Sequence, residues 1–306
     1  MNLSMIFPFY NEEGTLSLTI GTLVNQTKKA DEIIFVDSGS SDNSIKCINK
    51  AKKDHPELNI RVIQGGEMFP SNSINKGIEN SSNDLIMYMD CGLLIPNNWI
   101  ESQMNKYIEE KADIVSGRIF TEGSNIIDKC FISHTYGYKN KCICLTGSIF
   151  DKKLLEKTGY FIENCRAGYD VDFINKLKLK NCNRVINKDV LLEYYGTNYS
   201  KSIIDGYSKV KLYSKSAWVA YGDKKPYLYF IILILSFIII STFSFTIISP
   251  LLILYLLIRG FLIPYYKSKN IFKDKDMKMM IALPIVGVFF DLARINGYIN
   301  GLLKIK

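Results

Sequence analysis

The sequence predicts an α/β fold with a mostly parallel sheet flanked by helices, followed by C-terminal transmembrane or re-entrant helices. Apolar runs of strand length alternate with segments of helical periodicity through residues 1–226. The run 32–36 is apolar without alternation after Glu32, which is typical of a strand buried on both faces. Residues 227–266 contain a single charged side chain, that of Arg259, which is typical of a membrane-associated segment.

The individual elements follow from spacing. In chain order, the pattern predicts a strand over 3–7, a helix over 13–26, a strand over 32–36, a helix capped by Asp42, and strands over 60–63, 84–89 and 114–116. Ligands of such sheets bind beyond the carboxyl ends of the strands. The candidate site is therefore formed by the turn over 8–13, by Asp37 and by Asp90, each directly after a predicted strand.

A change in composition predicts two domains, a soluble one over 1–222 and a membrane-associated one over 223–306. The apolar segments of the second lie at about 227–247, 250–266 and 279–303. The linker 222–226 should end the preceding helix. The first two segments suit a hairpin broken near Ser249-Pro250, with a shallow re-entrant pair as the alternative.

The third apolar segment is interrupted by Asp291 and Arg294. Their spacing of three allows them to pair on one helical face. Whether this segment spans a membrane or lies flat on it is left open by the sequence.

The charge and the cysteine content indicate which partners and which cellular location to expect. The 306 residues carry a formal charge of +8, and the positive charge is mostly dispersed lysine. The basic clusters flank the apolar stretch, where they would face anionic lipid headgroups. A groove with interleaved basic and aromatic residues is not visible, so we expect no nucleic-acid partner. The first ten residues lack a basic start and a cleavage site, and the seven cysteines form no CxxC pair. We therefore expect the soluble domain on the cytoplasmic face of the cell membrane.

Two motifs near the N-terminus carry the strongest functional signal. One is the Pro-x-Tyr-Asn-Glu turn of Pro8, Tyr10 and Glu12, and the other is the Val-Asp-Ser-Gly-Ser-Ser-Asp run that contains Asp37 and Gly39. Together they resemble the family 2 glycosyltransferases, inverting enzymes with a GT-A fold, and the resemblance covers residues 3 to about 200. It implies that these five residues bind the nucleotide-sugar donor. The alternative for Asp37 is a simple turn residue.

A second region resembles the approach to the family's metal-binding Asp-x-Asp. Asn75 and Asp90 match it and are implied to contact the nucleotide sugar, with Asp90 also implied to hold the metal. Gly92 stands where the second aspartate is expected, and Ile74 stands where many relatives carry arginine. A cation can still be held by one carboxylate, a diphosphate and water, so the expected cofactor is Mg²⁺ or Mn²⁺.

The resemblance continues on the acceptor side. Gly147, Arg166 and Asp172 match acceptor-side positions, and Asp170 aligns with the catalytic base, although Tyr169 replaces the usual glutamate. A carboxylate at a helix start would be held ionised by backbone amides, as a base requires. The alternative for Asp170 is a helix N-cap.

These features predict a glycosyltransferase that moves a single sugar, with inversion, from a nucleotide sugar to a lipid-linked saccharide or polyprenyl acceptor in cell-surface polysaccharide or glycolipid synthesis. One alternative is a polyprenyl-phosphate glycosyltransferase, whose acceptor is already anionic. Another is a degenerate scaffold or nucleotide-sugar sensor, suggested by Gly92 and Tyr169. Lys209 and Lys215 would contact phosphate or, as we favour, simply lie on a basic interfacial helix.

Overall fold

A computed structural model describes residues 1–194, 200, 202–220, 231, 234–235, 238 and 245–303. The chain folds into two compact units. The first unit comprises Met1–Phe120 and Lys141–Tyr195, and the second comprises Thr121–Asn140 and Gly196–Lys306. The sequence did not indicate that Thr121–Asn140 belongs with the C-terminal region, and the boundary expected at residue 222 stays a prediction.

The strands and helices below are numbered along the chain. The strands are β1 (Leu3–Phe9), β2 (Glu32–Asp37), β3 (Ile60–Gln64), β4 (Leu85–Tyr88), β5 (Leu93–Leu94), β6 (Ile114–Ser116), β7 (Arg118–Thr121), β8 (Asn140–Ile143), β9 (Ile149–Asp151), β10 (Arg184–Ile186) and β11 (Leu192–Tyr194). The helices are α1 (Glu13–Val24), α2 (Ser44–Asp54), α3 (Pro70–Glu79), α4 (Trp99–Glu109), α5 (Ile126–Thr135), α6 (Leu154–Thr158), α7 (Tyr169–Leu179), α8 (Ile203–Ala220), α9 (Phe245–Leu257), α10 (Ile263–Lys267) and α11 (Met277–Leu302).

The main sheet has seven strands in the order β10-β6-β9-β4-β1-β2-β3. All its pairs are parallel except those of β9, which runs antiparallel to both β4 and β6. A second sheet has the order β5-β11-β7-β8. The mixed α/β fold with a parallel-rich sheet confirms the predicted fold class, and the five strands predicted from spacing are β1, β2, β3, β4 and β6.

The sheet separates two apolar layers. Met5 and Phe7 of β1 pack in one layer, and Ile6 packs in the other, as the alternation of a strand requires. Phe7 stacks on Phe35 of β2 with ring centroids 4.9 Å apart. Burying a side chain of this size stabilises the fold by roughly 1.5–3 kcal/mol, so these layers hold the strand ends in place.

Strand register brings the predicted site residues to one edge. Phe9 pairs with Asp37, and Ile6 pairs with Tyr88, so β1, β2 and β4 end close together. The Ile6 carbonyl points toward β4 and accepts from the Met89 backbone N–H. Backbone groups alternate along a strand, so those of Pro8 face the same side as those of Ile6, and Pro8 lies beyond the last β1–β4 pair. The missing N–H of Pro8 therefore leaves no ladder bond unmade.

Two expectations about helices are corrected. Asn43 occupies the N-cap of α2, and Asp42 instead accepts from the Ser44 backbone N–H at 3.0 Å, one position before the cap. The helix α9 runs through Pro250, so the break predicted near Ser249-Pro250 is wrong. In an apolar surrounding a continuous helix keeps the backbone groups hydrogen-bonded, and proline is tolerated within it.

Two apolar segments in the described part of the second unit are long enough to cross a membrane, Pro250–Lys267 and Met277–Leu302. The predicted pairing within the third segment is confirmed, because Arg294 Nη1 donates to Asp291 Oδ1 at 2.6 Å. The predicted linker 222–226 and most of the segment 227–247 lie outside the described residues.

Candidate active site

The loops after β1 and β2 are tied together by side-chain hydrogen bonds. Asn11 adopts a positive φ of 54°, and its backbone N–H donates to Ser40 Oγ at 3.0 Å. Its side-chain oxygen accepts from the Ser41 backbone N–H at 2.9 Å. The neighbouring Glu12 backbone N–H donates to Ser44 Oγ at 2.8 Å. These bonds hold the turn containing Tyr10 and Glu12 against the loop that follows Asp37, while the Tyr10 ring stays exposed.

Asp37 is buried at the end of β2 and organises the loop after it. Its Oδ1 accepts from the Ser40 backbone N–H at 3.0 Å, and its carbonyl accepts from Gly65 at 2.9 Å. Between them, Gly39 has a φ of +88°, and a Cβ there would lie 3.2 Å from the Glu67 backbone nitrogen. Only glycine meets both requirements without strain. The structure thus brings Asp37 and Gly39 together in one rigid loop.

Asp90 lies beyond the end of β4 among hydroxyl groups. The Tyr88 hydroxyl donates to Asp90 Oδ1 at 2.6 Å, and the Asp90 backbone N–H donates to Thr146 Oγ1 at 2.8 Å. The Tyr169 hydroxyl lies 3.1 Å from that of Tyr88. Because a phenol has one proton and Tyr88 gives it to Asp90, Tyr169 donates to Tyr88. A chain of two hydroxyls therefore links the first turn of α7 to Asp90.

Asp170 occupies the first turn of α7, one residue after Tyr169. The N-cap of this helix is Gly168, so the interpretation of Asp170 as an N-cap is wrong. Burial raises the pKa of Asp170, and the backbone N–H groups of Asp170 and Val171 lower it by less. The expectation that helix-start amides dominate is thereby corrected, because burial has the larger effect.

Burial and mutual repulsion raise the pKa values of two further carboxyls at this edge. Burial raises the pKa of Asp90, its Tyr88 and Thr146 hydrogen bonds oppose this, and the charge of Asp170 adds to it. Burial also raises the pKa of Glu12, and the charge of Asp90 adds to that shift. The exposed Arg166 lowers the pKa of Asp90. Three acidic groups thus share one region with one arginine, an arrangement that attracts cations.

Asn75 and Gly147 make structural contacts near this edge of the sheet. The Asn75 amide donates to the Phe161 carbonyl at 2.9 Å and accepts from the Phe161 backbone N–H at 3.1 Å, so both ends of the amide are engaged. The Gly147 backbone N–H donates to the Tyr88 carbonyl at 2.7 Å, and a Cβ there would lie 2.6 Å from the Trp99 ring. Asp172 forms an ion pair with Lys176 at 2.9 Å. The ligand-binding and acceptor-side roles of these residues stay predictions.

The residues present fit a cation that is held mainly by a bound substrate and only in part by the protein. Among the residues that the structure describes, no group of three or more acidic, His or Cys side chains forms a metal cage. Asp90 offers one half-buried carboxylate, and the Tyr88 hydroxyl fixes its Oδ1. Mg²⁺ is commonly bound through one or two carboxylates plus substrate phosphates, and this donor set matches that pattern.

Tyr88 and Thr146 were missed by sequence reasoning. Tyr88 could have been found, since it precedes Asp90 by two residues on an extended segment and so points to the same side. Thr146 contacts Asp90 across 56 residues of sequence, and no local pattern signals that contact.

The fold and this edge define a class: α/β enzymes whose ligand lies across the carboxyl ends of parallel strands. A family model, Glycosyl transferase family 2, matches residues 4–169, more than half of the chain. The chain belongs to this family, which confirms the resemblance indicated by its motifs.

Two individual proteins are similar to the chain in sequence. The chain is 27% identical over 228 residues to the glycosyltransferase GlyA of Streptococcus pneumoniae, covering 74% of this chain and 30% of that protein. It is 26% identical over 193 residues to the minor teichoic acid biosynthesis protein GgaA of Bacillus subtilis, covering 58% of this chain and 43% of that protein. It thus spans less than half the length of either relative.

The fold also resembles a solved structure, the mannosyltransferase PcManGT from Pyrobaculum calidifontis in complex with GDP-Man and Mn²⁺. The TM-score is 0.60 at 13% identity, over 100% of this chain and 88% of that chain. At this identity the likeness concerns the fold alone.

Proposed function

We propose that the protein transfers one sugar, with inversion, from a nucleotide sugar to a lipid-linked saccharide or polyprenyl acceptor at the cytoplasmic face of the cell membrane. The observation that carries the proposal is the position of Asp170, close enough to Asp90 for its charge to raise the Asp90 pKa, at the edge where the strands end. A base and a diphosphate-binding carboxylate must be neighbours for such a transfer.

The donor would lie across the ends of β1, β2 and β4. Asp37 and the rigid loop at Gly39 would hold the nucleoside, and the exposed Tyr10 ring is available to stack on its base. Asp90 would hold a divalent cation, Mg²⁺ or Mn²⁺, against the diphosphate. When bound, that ion would neutralise charge on the leaving group.

In the reaction, the acceptor hydroxyl oxygen attacks the anomeric carbon from the face opposite the diphosphate. The new C–O bond forms as the bond to phosphate breaks, and its electron pair leaves with the nucleoside diphosphate. The hydroxyl proton moves to Asp170, whose burial-raised pKa brings it closer to the operating pH of a general base. Arg166 lies near enough to Asp90 to offset charge there.

Two observations support the acceptor class and the location. GgaA, a relative by sequence, is named for minor teichoic acid biosynthesis. The second unit contains two apolar helical segments that can associate with a membrane. We infer a product that belongs to a cell-surface polysaccharide or glycolipid.

The test measures nucleotide release by the detergent-solubilised full chain from UDP-, GDP- and dTDP-sugars, with a lipid extract and with Mg²⁺ or Mn²⁺. We expect release that requires the extract, the metal and Asp170. Asp54→Asn, an exposed aspartate at the end of α2, is the matched control and should behave as the wild type. Donor binding without release from any sugar would overturn the proposal.

A further inference from the structure

The last helix, α11, has two apolar faces with different surroundings. One face is buried within the second unit, and its residues are Met279, Leu283, Val286, Phe290 and Ala293. The other forms an exposed stripe at intervals of three, four and seven residues, comprising Ile281, Ile285, Phe289, Leu292 and Ile299, which are 43–65% exposed. A helix that crosses a bilayer alone would expose apolar side chains all round, whereas this one exposes a single stripe.

The buried face is covered by α5 beside its N-terminal half. His134 Nε2 donates to the Leu283 carbonyl at 2.9 Å, and the ring of Phe131 meets that of Phe290 edge-on at 5.5 Å. Lys129 of the same helix pairs with Asp276, the N-cap of α11, at 3.1 Å. Moving the N-terminal half of α11 into a membrane would therefore carry this ion pair with it.

The C-terminal half is covered by α8. Tyr207 accepts a hydrogen bond from Asn296 at 3.1 Å, and a Cβ at Gly297 would lie 2.2 Å from the Lys211 carbonyl, which shows how closely the two helices pack. The helix α8 also carries Asp205 and Lys209, paired at 3.0 Å and each about one third exposed. Moving α11 across a membrane would take these charges into hydrocarbon, which is costly.

A basic and aromatic rim borders the stripe. Just before α11 and in its first turn, exposed lysines lie beside exposed tyrosines and a methionine: Lys269, Lys273, Lys275, Lys278, Tyr265, Tyr266 and Met277. Tyrosine favours the bilayer interface, and lysine is attracted to anionic headgroups. The rim and the stripe together form a surface with the chemistry of one leaflet.

We propose that α11 lies in the plane of the membrane, with its exposed stripe in the headgroup and upper acyl region of one anionic leaflet, and does not cross it. The inference deepens the membrane association in the proposed function and rests on that association alone. It decides what the sequence left open for the segment 279–303, in favour of the flat arrangement.

The experiment reads which side of the membrane each end of α11 faces. Met277→Cys and Leu302→Cys replace side chains that are 64% and 58% exposed, one at each end of the helix. The full chain is incorporated into sealed vesicles containing anionic phosphatidylglycerol and treated outside with a membrane-impermeant maleimide. Peptide mass spectrometry then separates the new cysteines from the native ones.

We expect both positions to be labelled on the same molecules, from the same side. Labelling of one end from outside and of the other only after the vesicles are opened would overturn the proposal. Because labelling does not depend on turnover, a chain that releases no nucleotide would refute the proposed function and leave this inference standing.

Flotation with vesicles gives a second readout. Ile285→Glu places a charge in the stripe and should reduce flotation by tenfold or more, whereas Ile108→Glu, at an equally exposed position of α4, is the matched control and should float as the wild type does. Equal flotation of the wild type and both variants would contradict the role of the stripe. Flotation that is the same with neutral and anionic vesicles would contradict the role of the lysine rim.

Discussion

The two units each contain a cluster of charged groups, with opposite balances. In the first unit, Glu12, Asp90 and Asp170 share their surroundings with one arginine, Arg166. In the second, one carboxylate, Asp291, accepts from Arg259 at 2.7 Å and from Arg294 at 2.6 Å. The first cluster has an excess of negative charge, which a bound cation can neutralise. In the second, the charge of the carboxylate is fully compensated by side chains of the same unit.

The second cluster is completed by neutral groups. Tyr255 donates to Asp291 at 2.8 Å, and Arg259 Nη1 donates to His134 Nδ1 at 3.2 Å. Burial and the charge of Arg259 lower the pKa of His134 to about 3, so its ring is neutral and can accept that bond. This comparison teaches that a buried carboxylate marks a site only when its partners leave its charge uncompensated.

The largest expected effect is on catalysis. Asp170→Asn keeps the side-chain shape and removes the base, so we expect turnover to fall by about 10²–10⁴-fold, the usual contribution of a general base. Donor binding, measured by calorimetry, should be unchanged. Turnover equal to that of the wild type would refute the assignment.

The next effect is on stability. Asp291→Asn leaves two arginines without their carboxylate, and breaking such a buried pair costs about 3–5 kcal/mol. We expect a melting temperature lower by on the order of 10 °C in detergent. Asp205→Asn, which breaks a partly exposed pair with Lys209, is the control and should change stability by less than about 1 kcal/mol.

A smaller effect is expected at Tyr88. Tyr88→Phe removes the donor to Asp90 Oδ1, a hydrogen bond to a charged group worth about 1.5–3 kcal/mol. We expect weaker Mn²⁺-dependent binding of UDP or GDP, by about tenfold. Tyr160→Phe, at an exposed position of the same unit, serves as the control. Equal nucleotide affinities in both variants would show that the Tyr88 hydroxyl does not position Asp90.

The smallest effect is a shift in pH dependence. Burial raises the pKa of Asp170 above its ordinary value of 3.8, so the ionised base is lost at a higher pH than for an exposed aspartate. The rate at low substrate concentration should therefore decline on the acid side with a midpoint above that value. A rate that stays constant down to about pH 4 would contradict this.

Local patterns predicted the strands and the residues that follow them. Asp37 and Asp90 were located because a buried strand is recognisable from composition and its end is where a ligand binds. The pairing of Thr146 with Asp90 depends on β9 running antiparallel to β4, a contact made far along the chain. The engagement of Asn75 by Phe161 is non-local in the same way. The spacing of residues in the sequence does not reveal such contacts between distant segments.

The charge balance of the two clusters could be predicted only in part from the sequence. The pairing of Asp291 with Arg294 was predictable because the two are three residues apart on a helix. The sequence, by contrast, shows Arg259 only as the single charged residue of the apolar segment 227–266. Its partners Asp291 and His134 come from other helices, so only the folded unit shows why the charge is tolerated.

The most direct test compares Asp90→Asn with Asp291→Asn by the melting temperature of the ligand-free protein. The folded-state pKa of Asp90 is raised, so its contribution to stability is complete below its unfolded value and is lost as pH rises through the folded value. At about pH 7.5, Asp90→Asn should therefore raise the melting temperature by a few degrees and Asp291→Asn should lower it. Shifts in the same direction would contradict the account.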